Sequence, residues 1–310
     1  MDRFDDNEYT ILIGNLLHDI LYSQISNMGK MALLRKHAEV LVRKILDIGS
    51  SKQLTLGQIR RKSNSPDVRD RLFNLGDEIS SKLIITVKKI SDPGNKATHT
   101  QHTENFSDED IECAEDAILD LYALLFIKYF LKIQVNIYSP PRVLHAFSLL
   151  PPIIRYKTWG YLFEKDKNNI QVVNKLCLSI IKVYNKQTAY KWIDDNSKLI
   201  KAIPYPTKPE IEKYNAMHEI EVCPGVRLLL ADMDFDKYDN LYDLLYEKIR
   251  APETSANEAG KMYKNFEDAV EYYCKQKDNL AFGGSKEVAE LLSLMDFVYL
   301  GRKSTSELSN

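Results

Sequence analysis

Apolar side chains recur every three to four residues along most of the chain, a spacing that places them on one face of an α-helix. Four long stretches in the first half have this pattern, at residues 8–25, 33–46, 79–90 and 107–133. Gly49 is placed to end the second helix, whereas Pro66 and Ser107 are placed to begin helices. The polar stretch 91–106 contains a Pro-Gly pair and predicts a loop.

The second half is also helical, but its pattern is less regular. Predicted helices occupy residues 142–149, 152–165, 169–185, 187–202, 208–217, 236–250, 258–277 and 285–300. The third and fourth of these form a helix hairpin that resembles the packing of tetratricopeptide repeats, although no second copy follows at a fixed period. The stretch 219–233 is ambiguous, and predicts either a β-hairpin around Pro224-Gly225 or a helix beginning after Gly225.

A pair of prolines, Pro140 and Pro141, marks a boundary between the two patterns. We therefore predict a helical bundle at residues 1–136, a second helical and repeat-like domain at 142–300, and a disordered tail at 301–310. Only 12 glycines and 11 prolines occur in 310 residues, which favours long helices and an all-α fold class.

Composition and charge narrow the class of protein. The net charge of -2 argues against binding nucleic acid with the whole surface, but leaves room for a local basic face. The acidic start is unlike a secretory signal, and the most apolar run, 118–131, is too short to span a bilayer. Four widely separated cysteines predict neither a zinc site nor a disulfide framework. We expect a cytoplasmic protein that needs no cofactor and no membrane.

Two strings in the first part resemble a known family. They are MALLRKHAEVLVRKILD and, after a helical spacer, GNKATHTQHTENFSDEDIECAEDAILDLYALLFIKYF. Over about residues 26–133 they are similar to a HEPN-like family of helical domains of unknown function. Members of that family occur alone or fused to bacterial restriction and abortive-infection proteins. The family's features correspond here to Arg35, Glu39, Gly94, Asn95, Ala97 and His99. The resemblance implies a helical bundle that pairs as a homodimer, and a role in antiviral defence.

The resemblance also raises the question of RNA cleavage. In HEPN ribonucleases an arginine stands a few residues before the catalytic histidine, but the stretch KKISDPGNKATH before His99 contains none. The nearest cations are Lys88 and Lys89. If the chain cleaves RNA, His99 is the candidate general base and Asn95 the residue that orients it. The alternative is that both residues only brace the loop before the long helix.

Other candidate residues are weighed against structural roles. Arg35 and Glu39 lie four apart, so they can pair across a helical turn or brace the segment 94–99. Arg60, Arg61 and Lys62, followed by Arg69 and Arg71, form the best basic patch. They are candidates for phosphate binding, and the alternative is a solvated face balanced by Asp67, Asp70 and Asp77. His37 falls on the apolar face of its helix, which indicates a core histidine with one partner.

Two metal or anion motifs are rejected. Asp232, Asp234, Asp236 and Asp243 imitate a calcium loop, but Lys237 stands where the sharp turn needs glycine. Helix capping explains these carboxylates better, so no metal is expected. The glycines at 283 and 284, before Ser285 and Lys286, are also better explained by capping than by anion binding.

The sequence therefore predicts a cytoplasmic defence component that acts by recognising a protein, RNA or DNA, without strong catalysis of its own. A HEPN-type metal-independent ribonuclease with an altered active site is one alternative, and an assembly scaffold is another. Whether the protein is an enzyme stays open at this point.

Overall fold

The computed structural model describes residues 3–98, 103, 105–223, 226–252, 265–282 and 284–309. Within these residues the chain forms fifteen α-helices and one β-hairpin, which confirms the predicted all-α fold class. The chain divides into two compact units. The N-terminal unit comprises Met1–Lys128, Ser293–Lys303 and Glu307–Asn310, and the C-terminal unit comprises Tyr129–Leu292 and Ser304–Ser306. None of the described helices is both long enough and apolar enough to cross a membrane.

Four of the first five helices follow a polar capping residue, and all five pack apolar side chains into the core. They are α1 (Asp6–Tyr22), α2 (Asn27–Leu46), α3 (Pro66–Asn74), α4 (Asp77–Thr98) and α5 (Asp108–Ile133). The side chains of Asp5, Ser26 and Ser65 accept hydrogen bonds from backbone amides in the first turns of α1, α2 and α3. Helix α2 packs against both α1 and α4, and the apolar side chains between them form the core of this unit.

Two local predictions in this unit are wrong. The loop predicted from residue 91 is helical as far as Thr98, even though Pro93 lies inside α4. The helix continues because Ser91 and Gly94 are buried, so this end of α4 still has a face to pack. Helix α2 ends at Asp47 rather than at Gly49, with Asp47 in the left-handed conformation (φ 53°). Aspartate tolerates this conformation, and the Asp47 amide bonds the carbonyls of the last turn.

The remaining helices are shorter. They are α6 (Pro141–Phe147), α7 (Pro152–Lys165), α8 (Ile170–Val183), α9 (Lys186–Asp195), α10 (Ser197–Ala202), α11 (Lys208–His218), α12 (Leu241–Arg250), α13 (Phe266–Ala281), α14 (Lys286–Tyr299) and α15 (Thr305–Leu308). The single helix predicted at 187–202 is divided at Asn196, whose side-chain amide donates to the carbonyl of Trp192. Helix α8 packs against α7 and α9, which agrees with the predicted helix hairpin.

The ambiguous stretch before α12 forms the hairpin. Strands β1 (Glu219–Cys223) and β2 (Val226–Leu229) pair antiparallel, with Glu219 opposite Leu229. The turn residues 224–225 lie outside the described residues.

Residues 301–309 belong to the fold, in contrast to the predicted disordered tail at 301–310, of which Asn310 lies outside the described residues. In the N-terminal unit, Phe297 packs edge-on against Phe4 with 5.7 Å between ring centroids. The Lys303 amide donates to the Tyr22 hydroxyl at 3.0 Å, and Arg302 hydrogen bonds the Tyr122 hydroxyl. The sequence predicts that the first part ends at residue 136. In the structure, residues 293–303 also belong to the N-terminal unit.

Candidate functional site

The residues singled out by the family resemblance lie where α2 meets the end of α4. The Arg35 side chain covers Gly94: a Cβ atom at Gly94 would lie 2.7 Å from Arg35 Cδ and 2.8 Å from Arg35 Cβ. Arg35 Nη1 also donates to Thr98 Oγ1 at 3.4 Å. The close approach explains why glycine stands at position 94, and it makes Arg35 a brace for the last turn of α4.

The rest of that predicted site is not assembled among the described residues. His99 lies outside them. Glu39 is half-buried, and no ion pair joins it to Arg35 in the described part of the chain. Asn95 is half-buried, and its backbone carbonyl accepts a hydrogen bond from Thr98 Oγ1 at 3.1 Å. Lys88 is exposed, whereas Lys89 Nζ lies 3.9 Å from the carboxylate of the buried Asp120.

His37 is a core histidine with one partner, as predicted. Its Nε2 lies 2.9 Å from the Tyr122 hydroxyl, and both side chains are buried. Burial, with a smaller contribution from the Arg302 guanidinium, lowers the pKa of His37 to about 3. The imidazole is therefore neutral near neutral pH and supports the fold. The contact of Arg302 with this pair could not be predicted from the sequence. Arg302 lies far along the chain, in the segment predicted to be a disordered tail.

The basic patch borders a cleft in the N-terminal unit that we call the Phe73 cleft. It has a volume of about 370 Å³ and lies where α3 and α4 meet. Its walls are formed by Arg61, Arg69, Leu72, Phe73, Asp77, Ser80, Ser81 and Ile84. The two helices are joined only by Leu75 and Gly76, and Gly76 has a φ of +80° that glycine adopts without strain. This tight corner keeps α3 and α4 together at the cleft.

Most of the cations in the predicted patch remain available to a ligand. Arg60, Arg61 and Lys62 are exposed and form no ion pair among the described residues, although Arg61 Nη2 donates to Ser81 Oγ at 3.3 Å. Arg69 is 59% exposed, and its Nε lies 3.9 Å from the Asp70 carboxylate, beyond hydrogen-bond distance. Arg71 differs, because it contacts the Asp47 carboxylate at 3.4 Å.

Phe73 is the residue of this cleft that the sequence analysis missed. Its side chain is 83% exposed, although Leu72 beside it is buried. The helical period allows this exposure: Val68 and Leu72 lie four apart on the buried face of α3, and Phe73 lies about 100° around the helix from Leu72. The sequence did contain an indication of this exposed ring: Phe73 stands one position beyond the buried Leu72 of a short helix. The cleft that it lines is also lined by Arg61 and Arg69.

A charged network in the C-terminal unit was also missed. The Asp232 carboxylate accepts hydrogen bonds from Lys175 Nζ at 2.6 Å, from Asn174 Nδ2 at 2.8 Å and from Lys248 Nζ at 2.8 Å. Burial alone would raise the pKa of the Asp232 carboxyl, but the ammonium groups of Lys248 and Lys175 outweigh burial and hold that pKa well below its usual range. The network ties α8, the segment before α12 and α12 together, so its role is structural.

The calcium-like motif at 232–243 and the glycine motif before α14 both contain side chains that hydrogen bond within the protein. Besides the bonds of Asp232, the Asp236 carboxylate accepts from Asn215 Nδ2 at 2.9 Å, and Asp243 belongs to the cap formed by Asn240 at the start of α12. No group of metal-binding side chains occurs in the described part of the chain. At α14 the Ser285 hydroxyl bonds the Glu287 carboxylate and caps the helix, while Gly283 lies outside the described residues.

The described residues thus contain one cleft in which the predicted basic patch meets an exposed aromatic ring. Comparison with known proteins gave no match: no family model fits the sequence, and neither a curated protein nor a solved structure is significantly similar to it. Any functional argument therefore depends on the side chains themselves.

Proposed function

We propose that the N-terminal unit recognises nucleic acid through the Phe73 cleft. The observation that carries the proposal is the 83% exposed Phe73 in a cleft that Arg61 and Arg69 also line. A ligand that covers the ring gains free energy, because apolar surface contributes roughly 25 cal/mol per Å² when it leaves water. A nucleotide offers a flat base for the ring and a phosphate for the guanidinium groups.

The charges support an anionic ligand at this position. The whole chain has a net charge of -2, so attraction to nucleic acid must come from a local surface. Arg60, Arg61, Lys62 and Arg69 supply four exposed cations at or beside the cleft. Arginine binds phosphate oxygens with two parallel N–H groups, and such contacts provide most of the affinity of nucleic-acid binding proteins.

A folded protein partner fits this surface less well. Stable protein interfaces bury about 1,200 to 2,000 Å² in total and have an apolar centre. Near the cleft, Phe73 and Ile85 are the exposed large apolar side chains among the described residues, at 83% and 62%. Two such residues beside charged side chains fit a nucleic-acid ligand better than a protein interface. The binding experiment below can still return the scaffold role. The bacterial defence setting is carried by the HEPN-like resemblance alone.

Metal-independent RNA cleavage stays a prediction from the sequence, because His99 lies outside the described residues. The same preparation can test it. If the chain only recognises RNA, incubation with mixed cellular RNA leaves the RNA intact. Cleavage that disappears in a stably folded His99→Ala variant would establish the catalytic alternative, since loss of a general base costs about 10² to 10⁴ in rate.

The test of recognition is the affinity of the full chain for labelled oligonucleotides, measured by fluorescence anisotropy over a range of salt concentrations. The test variant carries Arg61→Ala and Arg69→Ala. The matched control carries Lys36→Ala and Lys208→Ala, which remove two exposed cations that do not line the cleft. Each lost phosphate contact lowers the slope of log affinity against log salt by about 0.7 to 0.9.

We expect the cleft variant to bind at least about tenfold more weakly than the wild type with a reduced salt slope. The control variant should behave like the wild type. Equal weakening in both variants would mean that binding follows net charge and would contradict the proposal. The proposal would also be contradicted if the wild type showed no saturable binding. An assembly scaffold would then be the better hypothesis.

A further inference from the structure

The shape and chemistry of the Phe73 cleft also distinguish the form of nucleic acid. We propose, building on the function proposed above, that the cleft takes single-stranded nucleic acid, with one unpaired base stacked on the Phe73 ring. In a duplex the faces of the bases are covered by their neighbours, and only their edges are accessible in the grooves. An exposed aromatic ring gains from a base only when that base is unpaired and unstacked.

The size of the cleft agrees with one base. Its volume of about 370 Å³ lies at the lower end of the range of small-ligand sites, roughly 300 to 1,000 Å³. The buried Leu72 and the half-buried Ile84 form apolar parts of its wall, suited to the face of a ring. Arg61 and Arg69 also line the cleft, where they can bind phosphates of the strand that carries the stacked base.

The acidic residues of α3 disfavour a duplex. A duplex lying along this nine-residue helix would place a row of phosphates beside its exposed face. That face carries Asp67 and Asp70, whose side chains are 53% and 72% exposed and are offset only in part by Lys52 at 3.3 Å and Arg69 at 3.9 Å. Like charges at such a surface repel the backbone. A single strand can avoid them, because its backbone bends more easily around one bound base.

Asp77 gives the cleft a means of choosing among bases. Its carboxylate lies on the cleft wall, is exposed, and makes no hydrogen bond or ion pair among the described residues. An ionised carboxylate only accepts hydrogen bonds, so it can bind the exocyclic amino group of cytosine, adenine or guanine. Uracil and thymine have no such group. The cleft should therefore prefer amino-bearing bases.

The experiment compares a single strand with the duplex of the same sequence, as RNA and as DNA, using three variants. Phe73→Ala removes the ring. Phe73→Trp keeps a ring and adds an indole whose fluorescence reports stacking. Ile85→Ala is the control, because it removes another exposed apolar side chain that is not part of the cleft wall. Since Phe73 is exposed, neither of its substitutions should lower the melting temperature of the protein, which thermal unfolding can check.

We expect Phe73→Ala to weaken single-strand binding by roughly 5- to 150-fold, the effect of losing one stacked base, with duplex binding unchanged. Phe73→Trp should bind as tightly as the wild type, and its indole emission should be quenched by the single strand. Ile85→Ala should have no effect. Oligocytidine should bind more tightly than oligouridine, and Asp77→Asn should reduce that difference, because an amide can bond either base.

The results separate this inference from the function on which it depends. If the single strand and the duplex bind equally and Phe73→Ala changes neither, while the arginine variant weakens both, the recognition function stands and the single-strand inference is overturned. If no nucleic acid binds at all, both proposals fall. If RNA and DNA single strands bind alike, the cleft recognises the base and not the sugar. The proposal expects this result, because it gives the sugar no partner in the cleft.

Discussion

Two titratable side chains show how burial and partners decide the role of a residue. His37 is buried beside Tyr122 and becomes a neutral core residue, with its pKa lowered to about 3. Asp232 stays ionised, because Lys175 and Lys248 surround its carboxylate. The position of His37 on an apolar helix face predicted its role. The partners of Asp232 could not be predicted, because Lys175 lies 57 residues away along the chain and no local pattern connects them.

His37 should make the stability of the N-terminal unit depend on pH. The unfolded histidine takes up a proton below its ordinary pKa of 6.5, whereas the folded one resists protonation down to about 3. Its contribution is therefore fully present above pH 6.5 and is lost as the pH falls towards 3. In urea unfolding, the wild type should lose about 1.4 kcal/mol per pH unit more than His37→Gln in this window. The half-exposed His18 provides the control variant His18→Gln, and parallel curves for wild type and His37→Gln would contradict the assignment.

Replacing Asp232 should destabilise the C-terminal unit strongly. Asp232→Asn leaves two partly buried ammonium groups without their counter-charge, which costs roughly 3 kcal/mol, since a third of the Asp232 side chain still reaches solvent. Asp234→Asn removes a neighbouring exposed carboxylate and should cost under about 0.5 kcal/mol. Both values can be measured by urea unfolding. Equal effects of the two substitutions would show that the network does not hold this unit together.

The helices were predicted well where capping and periodicity agree, and poorly where tertiary packing overrides a local signal. Helix α7 was predicted at the residues it occupies, because Pro152 opens it and its apolar positions keep a helical period. The end of α4 was predicted as a loop from its Pro-Gly pair. Contact between Gly94 and Arg35 extends the helix there, and nothing local to residues 91–98 indicates that contact.

Two helical glycines should therefore respond to alanine in opposite directions. Gly94→Ala places a methyl group 2.7 Å from Arg35 Cδ and should destabilise the protein by about 1 to 3 kcal/mol through overpacking. Gly160, inside α7, has no such neighbour within 4 Å, so Gly160→Ala should stabilise by about 0.4 to 1 kcal/mol. Thermal and urea unfolding of the two variants provide the comparison. A neutral or stabilising Gly94→Ala would mean that α2 and α4 do not approach as closely as described.

For the molecule as a whole, the all-α class followed from composition and periodicity, whereas the long-range connections did not. Helical period and scarce glycine and proline are properties of the whole sequence. The return of residues 293–303 to the N-terminal unit depends on contacts such as Phe297 with Phe4, nearly three hundred residues apart, which no periodic pattern encodes. The Phe73 cleft was half predicted: its cations were identified in the sequence, but the corner at Gly76 brings the α4 residues Ser80, Ser81 and Ile84 to the same cleft.

The homodimer stays a prediction that depends on the family resemblance. The apolar side chains Leu121, Leu124, Phe126 and Ile127 of α5 are buried within the single chain, so they do not supply a surface for pairing. Light scattering at micromolar concentration should give twice the chain mass of 35.8 kDa if the resemblance extends to assembly. A mass equal to that of one chain would exclude a stable homodimer.

The most direct test of the central claim is to locate a bound nucleic acid on the protein. A single-stranded oligonucleotide with photoreactive bases is bound to the full chain, cross-linked with light and mapped by mass spectrometry. We expect the cross-links to fall in residues 60–85, with Phe73 among them, and to be lost when excess unlabelled single strand competes. Competable cross-links confined to residues outside 60–85, or none that saturate, would contradict the assignment of the Phe73 cleft as the recognition site.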